Sequence, residues 1–290
     1  MAGEVPQRLV RALGENDEWL RRLPALVKET VARQHLDVER VTAPGGRSGL
    51  VLLVHREDGT PAALKLAPPA AAPALERAAL EHWDGWGAVR TLPTPGAGDA
   101  LLLERLRPEV SLRSLPEAKA LLEAAGIVRR LWVEPPPGHG FETVADRTGR
   151  QAEALRDQVG EPLVAAALAA RDALVADAPE TLLLHGNFRQ GKVLAADRAP
   201  WLTVGPEPLV GERAYDLARL VRDRLEDLIA SASGASAARR RVNKLADSLE
   251  LDADRLRGWV LFRAVESGTR TVQAGRVREG ELTLEFASWL

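Results

Sequence analysis

Leu182-Leu183-Leu184-His185-Gly186-Asn187-Phe188-Arg189-Gln190-Gly191-Lys192-Val193-Leu194, followed closely by Trp201-Leu202-Thr203-Val204-Gly205-Pro206-Glu207-Pro208, is the most informative run of the chain. It reads as an apolar strand, a tight polar loop, a short strand, a turn, a second short strand and a further turn. Gly186 and Gly191 permit loop backbone angles that a Cβ forbids. The apolar run Leu182–Leu184 is short enough for a strand and too short for a helix.

Upstream, residues 16–35 carry a helical stripe of Trp19, Leu20, Leu23, Leu26, Val27 and Val31, with Asn16 as the cap, acidic residues in the first turn and Pro24 as a kink or break. Residues 36–66 change to a period of two. Val38–Val41, Leu50–His55 and Ala62–Leu66 read as strands, joined by the loop Pro44–Gly49 and by a hairpin turn with Asp58-Gly59 at its tip. Gly45, Gly46 and Ser48 are placed either to approach a phosphate closely or simply to turn a hairpin. Lys65 sits mid-strand between Leu64 and Leu66. Glu76 lies on the next helix, Pro73–Trp83, where Glu81 competes for the same role. Asp99–Pro108 reads as a short buried strand ending at a proline.

Downstream and between, the pattern is mainly helical. Helices are expected over Leu115–Trp132, over residues 149–176 with a break at Gly160-Glu161-Pro162, from Leu209 to Leu220, and over about 236–249 and 252–275. The small, polar run 231–238 reads as a flexible loop.

The bulk properties bound the answer. A chain of 290 residues suits one large domain or two lobes, and 46% hydrophobic and 28% charged residues argue for a packed core against global disorder. A net charge of −2 gives no reason to expect a nucleic acid or an anionic membrane as partner. The absence of cysteine excludes disulfides and thiolate zinc sites. No secretory-type apolar segment occupies Met1–Val10 and no run of 18 apolar residues occurs, so the cytoplasm is the expected location.

Only five of the 39 basic residues are lysines, and two of them, Lys65 and Lys192, fall in an ordered set. A glycine loop, a third-strand Lys, a helix Glu, then the strand–loop–hairpin at 182–208 is the kinase order. The chain resembles the aminoglycoside phosphotransferase group, and within it the streptomycin 6-phosphotransferase and hydroxyurea phosphotransferase family. The resemblance is carried by Glu76-x-x-Ala79-Leu80-x-x-Trp83-Asp84-Gly85-x-Gly87-Ala88-Val89, Leu101-Leu102-Leu103-Glu104-Arg105, His185-Gly186 and Val193-Leu194-Ala195. It continues in Pro200-Trp201-Leu202, Pro206-x-Pro208-Leu209-Val210-Gly211 and Ala214-Tyr215-Asp216-Leu217-Ala218.

It implies an α+β, bilobal protein-kinase-like fold, with a small lobe of antiparallel sheet and helices over residues 1–106 and a mainly helical lobe over 107–290. It implies ATP with magnesium and phosphoryl transfer to a hydroxyl of a small molecule. Gly45, Gly46, Ser48, Lys65, Glu76, Glu104 and Leu106 are then the nucleotide-side residues, the last two at a hinge whose backbone faces the adenine. His185, Asn187 and Lys192 lie in the catalytic loop. Gly205 and Glu207 lie in the metal-binding turn. Asp216 is read as structural, because its motif is intact on the following helix.

The departures from the family pattern fall on the chemistry. The family loop reads roughly His-Gly-Asp-Leu-His-Pro-Gly-Asn and its metal turn Asp-Pro-Lys-Pro. Here Asn187 stands in place of the base Asp, Lys192 in place of the metal-binding Asn, and Gly205 in place of the metal-binding Asp. An amide is too weak a base to take a proton, and general-base catalysis is worth about 10²–10⁴-fold. Magnesium asks for hard oxygen ligands, which a glycine and an ammonium group do not supply. The losses act as a unit. Lys192 either pairs with Glu207 across the former metal site or points at a nucleotide phosphate.

The expectation is a pseudokinase: no certain cofactor, no metal, ATP retained through Lys65 and Glu76 if at all, and action by binding a small molecule, a nucleotide or a protein. The alternative is a working kinase that uses Glu207 with Asp197 or Asp216. A different transferase chemistry has no residue in its specific support. Asp146, Glu153 and Asp157 are acceptor-side candidates by location alone, with solvated helix carboxylates as the plainer assignment.

Overall fold

The structure, a computed structural model, describes residues 5–93, 100–158 and 160–290. In chain order the first elements are α1 (Gln7–Leu13), α2 (Glu18–Arg33), β1 (Asp37–Val41), β2 (Leu50–His55), β3 (Pro61–Leu66), α3 (Pro73–Trp83), β4 (Ala100–Glu104) and β5 (Arg107–Ser111). Then come α4 (Glu117–Leu131), β6 (Glu142–Thr143), α5 (Val144–Leu155), α6 (Pro162–Ala176), β7 (Leu182–Leu184), β8 (Val193–Ala195), β9 (Trp201–Thr203) and β10 (Leu209–Gly211). Five helices close the chain: α7 (Arg213–Val221), α8 (Leu225–Ala230), α9 (Gly234–Leu249), α10 (Ala253–Gln273) and α11 (Val277–Ala287). They divide into two compact units. One runs to Ser111 and takes in Leu194–Glu207; the other holds Leu112–Val193 and Pro208–Leu290.

The first unit is built on a four-stranded antiparallel sheet in the order β1-β2-β3-β4. Its period-two pattern sorts the side chains: Ala62, Leu64 and Leu66 join Leu50, Leu52, Val54, Leu23, Val27 and Leu9 in one core, and Lys65 points to the opposite face. The α2 stripe closes this core. Its cap is Asp17, whose carboxylate accepts the Leu20 N–H at 3.0 Å, and not Asn16, which lies one residue too early. Pro24 forfeits one backbone bond, yet α2 runs through it unbroken because its buried face holds it down.

The start at Asp99 expected for the next strand lies outside the described residues, and β4 ends at Glu104. Pro108 falls inside a separate strand, β5, instead of terminating β4. β5 pairs with β8, and the backbones of Gly87 and Val89 exchange hydrogen bonds with Thr203. These ladders are why the unit extends past Leu106 and includes the hairpin at 194–207.

The second unit gathers its helices around α10, against which α5, α6, α7, α9 and α11 pack. Tyr215, Trp259 and Phe262 meet edge to face at its centre, with ring centroids 5.1 and 6.2 Å apart. Two sequence expectations are corrected here, and one helix is added. Leu209–Gly211 is a strand, β10, held between β6 and β7, so the helix expected from Leu209 begins only at Arg213. The run 231–238 is no long loop, because α9 starts at Gly234, where a Cβ would strike the Leu228 carbonyl. A last helix, α11, follows Gly275; Gly268 and Gly280 let it approach α10 so closely that a Cβ on Gly280 would lie 2.7 Å from the Gly268 carbonyl oxygen. No helix among the described residues is long and apolar enough to cross a membrane.

Gly49, at the end of the glycine loop, abuts β3: a Cβ there would fall 2.6 Å from the Leu66 carbonyl oxygen. Gly49→Ala is therefore expected to destabilise the first unit by about 1–3 kcal/mol, read as a lower denaturant midpoint. An unchanged midpoint would mean that the loop backbone is not pressed against the sheet.

Candidate functional site

On the first unit, the helix α3 turns Glu76 toward the Lys65 face of the sheet. The two form a buried ion pair, with Glu76 2% and Lys65 9% exposed, while the rival Glu81 is exposed on the same helix. The second carboxylate oxygen of Glu76 is buried and accepts no hydrogen bond. Glu104 has a different occupation. Its carboxylate receives Nε and Nη2 of Arg198, at 2.9 and 2.7 Å, and the Arg90 N–H at 2.7 Å. Arg198 also donates to the carbonyls of Gly85 and Ala88. Leu106 is buried just beyond.

In the glycine loop, Gly45 has a positive φ of 74° and packs on Pro6, Gly46 is exposed and Ser48 is half-buried. Gly205, in the turn after β9, has φ 61°, a left-handed conformation that costs most side chains about 1–2 kcal/mol. Asp197 lies on the β8–β9 hairpin beside Arg107, at 2.7 Å.

On the second unit, the loop after β7 is gripped from below by one carboxylate. Asp216, fully buried on α7, accepts the His185 N–H at 2.9 Å, the Gly186 N–H at 2.8 Å and Trp132 Nε1 at 3.3 Å. Burial pushes its carboxyl up; the two backbone donors, the Arg263 charge and the Trp132 indole oppose that rise. Arg263 donates to the Gly186 and Tyr215 carbonyls and lies over the Tyr215 ring.

Within the loop, His185 Nδ1 accepts the Asn187 N–H at 3.2 Å, and its ring meets Phe188 edge-on at 5.7 Å. Asn187 is 5% exposed and Lys192 half-buried at the end of the loop, with its N–H on the Arg189 carbonyl. Further along, the buried Asp223 accepts the Gln190 N–H, and Arg224 Nε donates to Gln190 Oε1 at 2.9 Å. On the acceptor-side candidates, Asp146 bonds Thr143 at the start of α5 and Glu153 pairs with Arg156, in keeping with local helix roles. Asp157 lies in the turn after α5.

The sequence therefore located Lys65 with Glu76, the loop 185–192 and the supporting Asp216. It missed Arg198, Asp223, Arg224 and Arg263. Three of these are arginines that hold distant backbone carbonyls, and no local spacing announces such contacts. The Gln190 side chain was the available signal, being a long amide in the middle of a tight loop.

The donor set does not fit magnesium. Of the positions that the family resemblance assigns to base and metal, Asn187 offers an amide, Lys192 a cation and Gly205 no side chain. Lys65 retains a buried ammonium of the kind that meets nucleotide phosphates.

Comparison with known proteins bears on the family and the fold. The sequence profile of the aminoglycoside/hydroxyurea antibiotic resistance kinases matches residues 33–275. Streptomycin 6-kinase of Streptomyces glaucescens is 34% identical over 285 residues, covering 94% of this chain and 92% of that one. Hydroxyurea phosphotransferase of Kitasatospora aureofaciens is 36% identical over 304 residues, covering 99% and 84%. Among solved structures, a thermostable mutant of an aminoglycoside phosphotransferase in ternary complex with ADP and hygromycin B superposes with a TM-score of 0.62 at 18% identity, covering 90% of this chain and 96% of that one. The choline kinase of Streptococcus pneumoniae does so with a TM-score of 0.59 at 12% identity, covering 91% and 99%. These likenesses show a kinase-like α+β fold.

Two substitutions test the supports. Asp216→Ala orphans three donors and is expected to cost about 3–5 kcal/mol in chemical denaturation, with Asp216→Asn, which keeps one acceptor oxygen, costing less; equal stability of Ala and natural protein would contradict the grip. Lys65→Met leaves Glu76 buried alone and should cost about 3–5 kcal/mol, with much of the loss recovered in Lys65→Met/Glu76→Leu. Failure of the double variant to recover would mean that the pair is not the local source of stability.

Proposed function

Because the chain belongs to the aminoglycoside/hydroxyurea antibiotic resistance kinase family, a family of small-molecule phosphotransferases, we propose that it is a pseudokinase of that family, which binds a ligand and has lost magnesium-dependent phosphoryl transfer. One observation carries this reading. Asp216 holds the loop backbone at His185 and Gly186, while the loop carries Asn187 and Lys192, and the turn after β9 carries Gly205. Asn187 can position a hydroxyl by hydrogen bonding but cannot accept its proton at neutral pH. Lys192 and Gly205 leave a magnesium ion without two oxygen ligands, so the developing charge on a transferring phosphoryl group goes uncompensated by metal. The Lys65–Glu76 pair supports retained binding of a nucleotide, and it also supports the small sheet by itself.

The names of the relatives favour a second reading, a working phosphotransferase to a hydroxyl of a streptomycin-like or hydroxyurea-like acceptor with rearranged groups. Thermal unfolding with ATP, with and without magnesium, separates the two. The natural protein is expected to show no magnesium-dependent shift, and Asn187→Asp/Lys192→Asn/Gly205→Asp to gain one of several degrees. A magnesium-dependent shift in the natural protein, accompanied by ADP formation, would put the working enzyme in its place.

A further inference from the structure

The second unit leaves two large apolar side chains in solvent. Among its described residues these are Leu122 on α4, 69% exposed, and Val277 on α11, 48% exposed. A lone exposed leucine or valine is ordinary. These two sit in surroundings that answer each other.

Leu122 stands on a groove of about 440 Å³ between α4 and α9, with Leu121, Ala125 and Leu245 as its buried apolar lining. Helical spacing puts Ala118, Leu122 and Gly126 in one outer stripe of α4. Ala118 and Gly126 are exposed, and a Cβ on Gly126 would meet nothing within 4 Å. The surface on either side of Leu122 is therefore low, and another helix can approach α4 closely there. Three charges edge the groove: Lys119 and Glu123 from α4 and Lys244 from α9. Among the described residues none of the three makes an ion pair, although Lys119 and Glu123 are one helical turn apart.

The outer face of α11 carries the opposite signs. Gly280, Thr283, Phe286 and Ala287 are buried, and α11 packs on α10. Val277, Glu281 and Glu285 follow one another at one-turn intervals on the exposed side, with Arg278 beside them. Among the described residues Arg278, Glu281 and Glu285 make no ion pair either. The groove thus offers an exposed leucine among two lysines and one glutamate. The helix offers an exposed valine among two glutamates and one arginine. An apolar centre with complementary charges at its rim is how a helix is held in a groove.

The two patches border each other on one copy. α9 carries Lys244 and, about 8 Å along the helix, Arg239, whose Nη1 donates to the Trp289 carbonyl just past α11 at 3.0 Å. A two-fold pair can seat each copy's α11 in the other's groove and make both contacts at once.

We propose that the α4–α9 groove receives α11 of a second copy of this chain, forming a two-fold dimer. Such a dimer forms whether or not phosphoryl transfer survives. Exposed charge pairs around a small apolar centre make a weak interface, with a Kd on the order of 10⁻⁵ M that rises with added salt.

Sedimentation velocity of the full chain over a concentration series tests this. The natural protein is expected to pass from monomer to dimer as its concentration crosses that Kd. Lys119→Glu/Lys244→Glu and Glu281→Lys/Glu285→Lys should each weaken self-association about tenfold or more, because like charges then face each other. Leu122→Glu should weaken it about tenfold. Lys28→Glu, which changes an exposed charge on α2 of the first unit, should leave it unchanged. An equal mixture of the two charge-reversed proteins should form a mixed dimer at least as tight as the natural one, since each groove then meets an α11 of opposite sign.

The mixture separates the proposal from simple misfolding, which mixing would not repair. A natural protein that stays monomeric at about 10⁻⁴ M overturns the proposal and leaves the groove to a different chain. A dimer that survives both reversals, or two reversed proteins that fail to associate when mixed, overturns it equally.

Discussion

The carboxylate of Asp216 is the fixed point of the second unit. Its burial is compensated by two backbone N–H groups, an indole and the nearby Arg263 charge. In return it fixes the path of His185 and Gly186, and through them the position of every side chain that the loop displays. Arg263 secures the same segment from the other side by its Gly186 carbonyl. Asp223 and Arg224 hold the far end through Gln190. The loop is thus anchored at both ends.

These anchors grip the loop chiefly by main-chain groups, and that separates the fold from the chemistry. Asp216, Arg263 and Asp223 hold the loop through backbone groups of His185, Gly186 and Gln190, and those bonds do not depend on the side-chain identity at 187 or 192. Gly205 has a left-handed backbone that suits a residue without a Cβ. On the pseudokinase reading, a phosphotransferase scaffold keeps its shape while its active groups change. The direction of change has a consistent sign: carboxylate to amide, amide to cation, carboxylate to nothing. Each step leaves its own position less able to hold a cation.

How much of this was legible in the sequence depended on the range of the interaction. Lys65 and Glu76 lie eleven residues apart on a strand and the next helix, so alternation and helical spacing together place them face to face. The Ala214–Ala218 motif announced Asp216 as a support. The starts of α2, α4 and α9 were read to within two residues, but those of α5 and α7 were missed by four or five, and the cap slipped from Asn16 to Asp17 because both can accept from a helix N-terminus and only the register of the buried stripe chooses. The strand Leu209–Gly211 was hidden in a helical-looking run, because tertiary pairing with Leu182–Leu184 overrides local preference. The α9 start at Gly234 depended on a close approach to Leu228 that composition does not encode. Arg198, 94 residues from its partner Glu104, had no sequence signal at all.

On the pseudokinase reading the scaffold is whole and the transfer chemistry is gone. Phosphorus NMR of ATP incubated with magnesium, the natural protein and streptomycin or hydroxyurea as acceptors measures it directly. A pseudokinase leaves ATP signals that decay no faster than in buffer and forms no new phosphate ester. ADP appearing together with a phosphorylated acceptor would contradict it and would mean that Asn187, Lys192 and Gly205 belong to a working site.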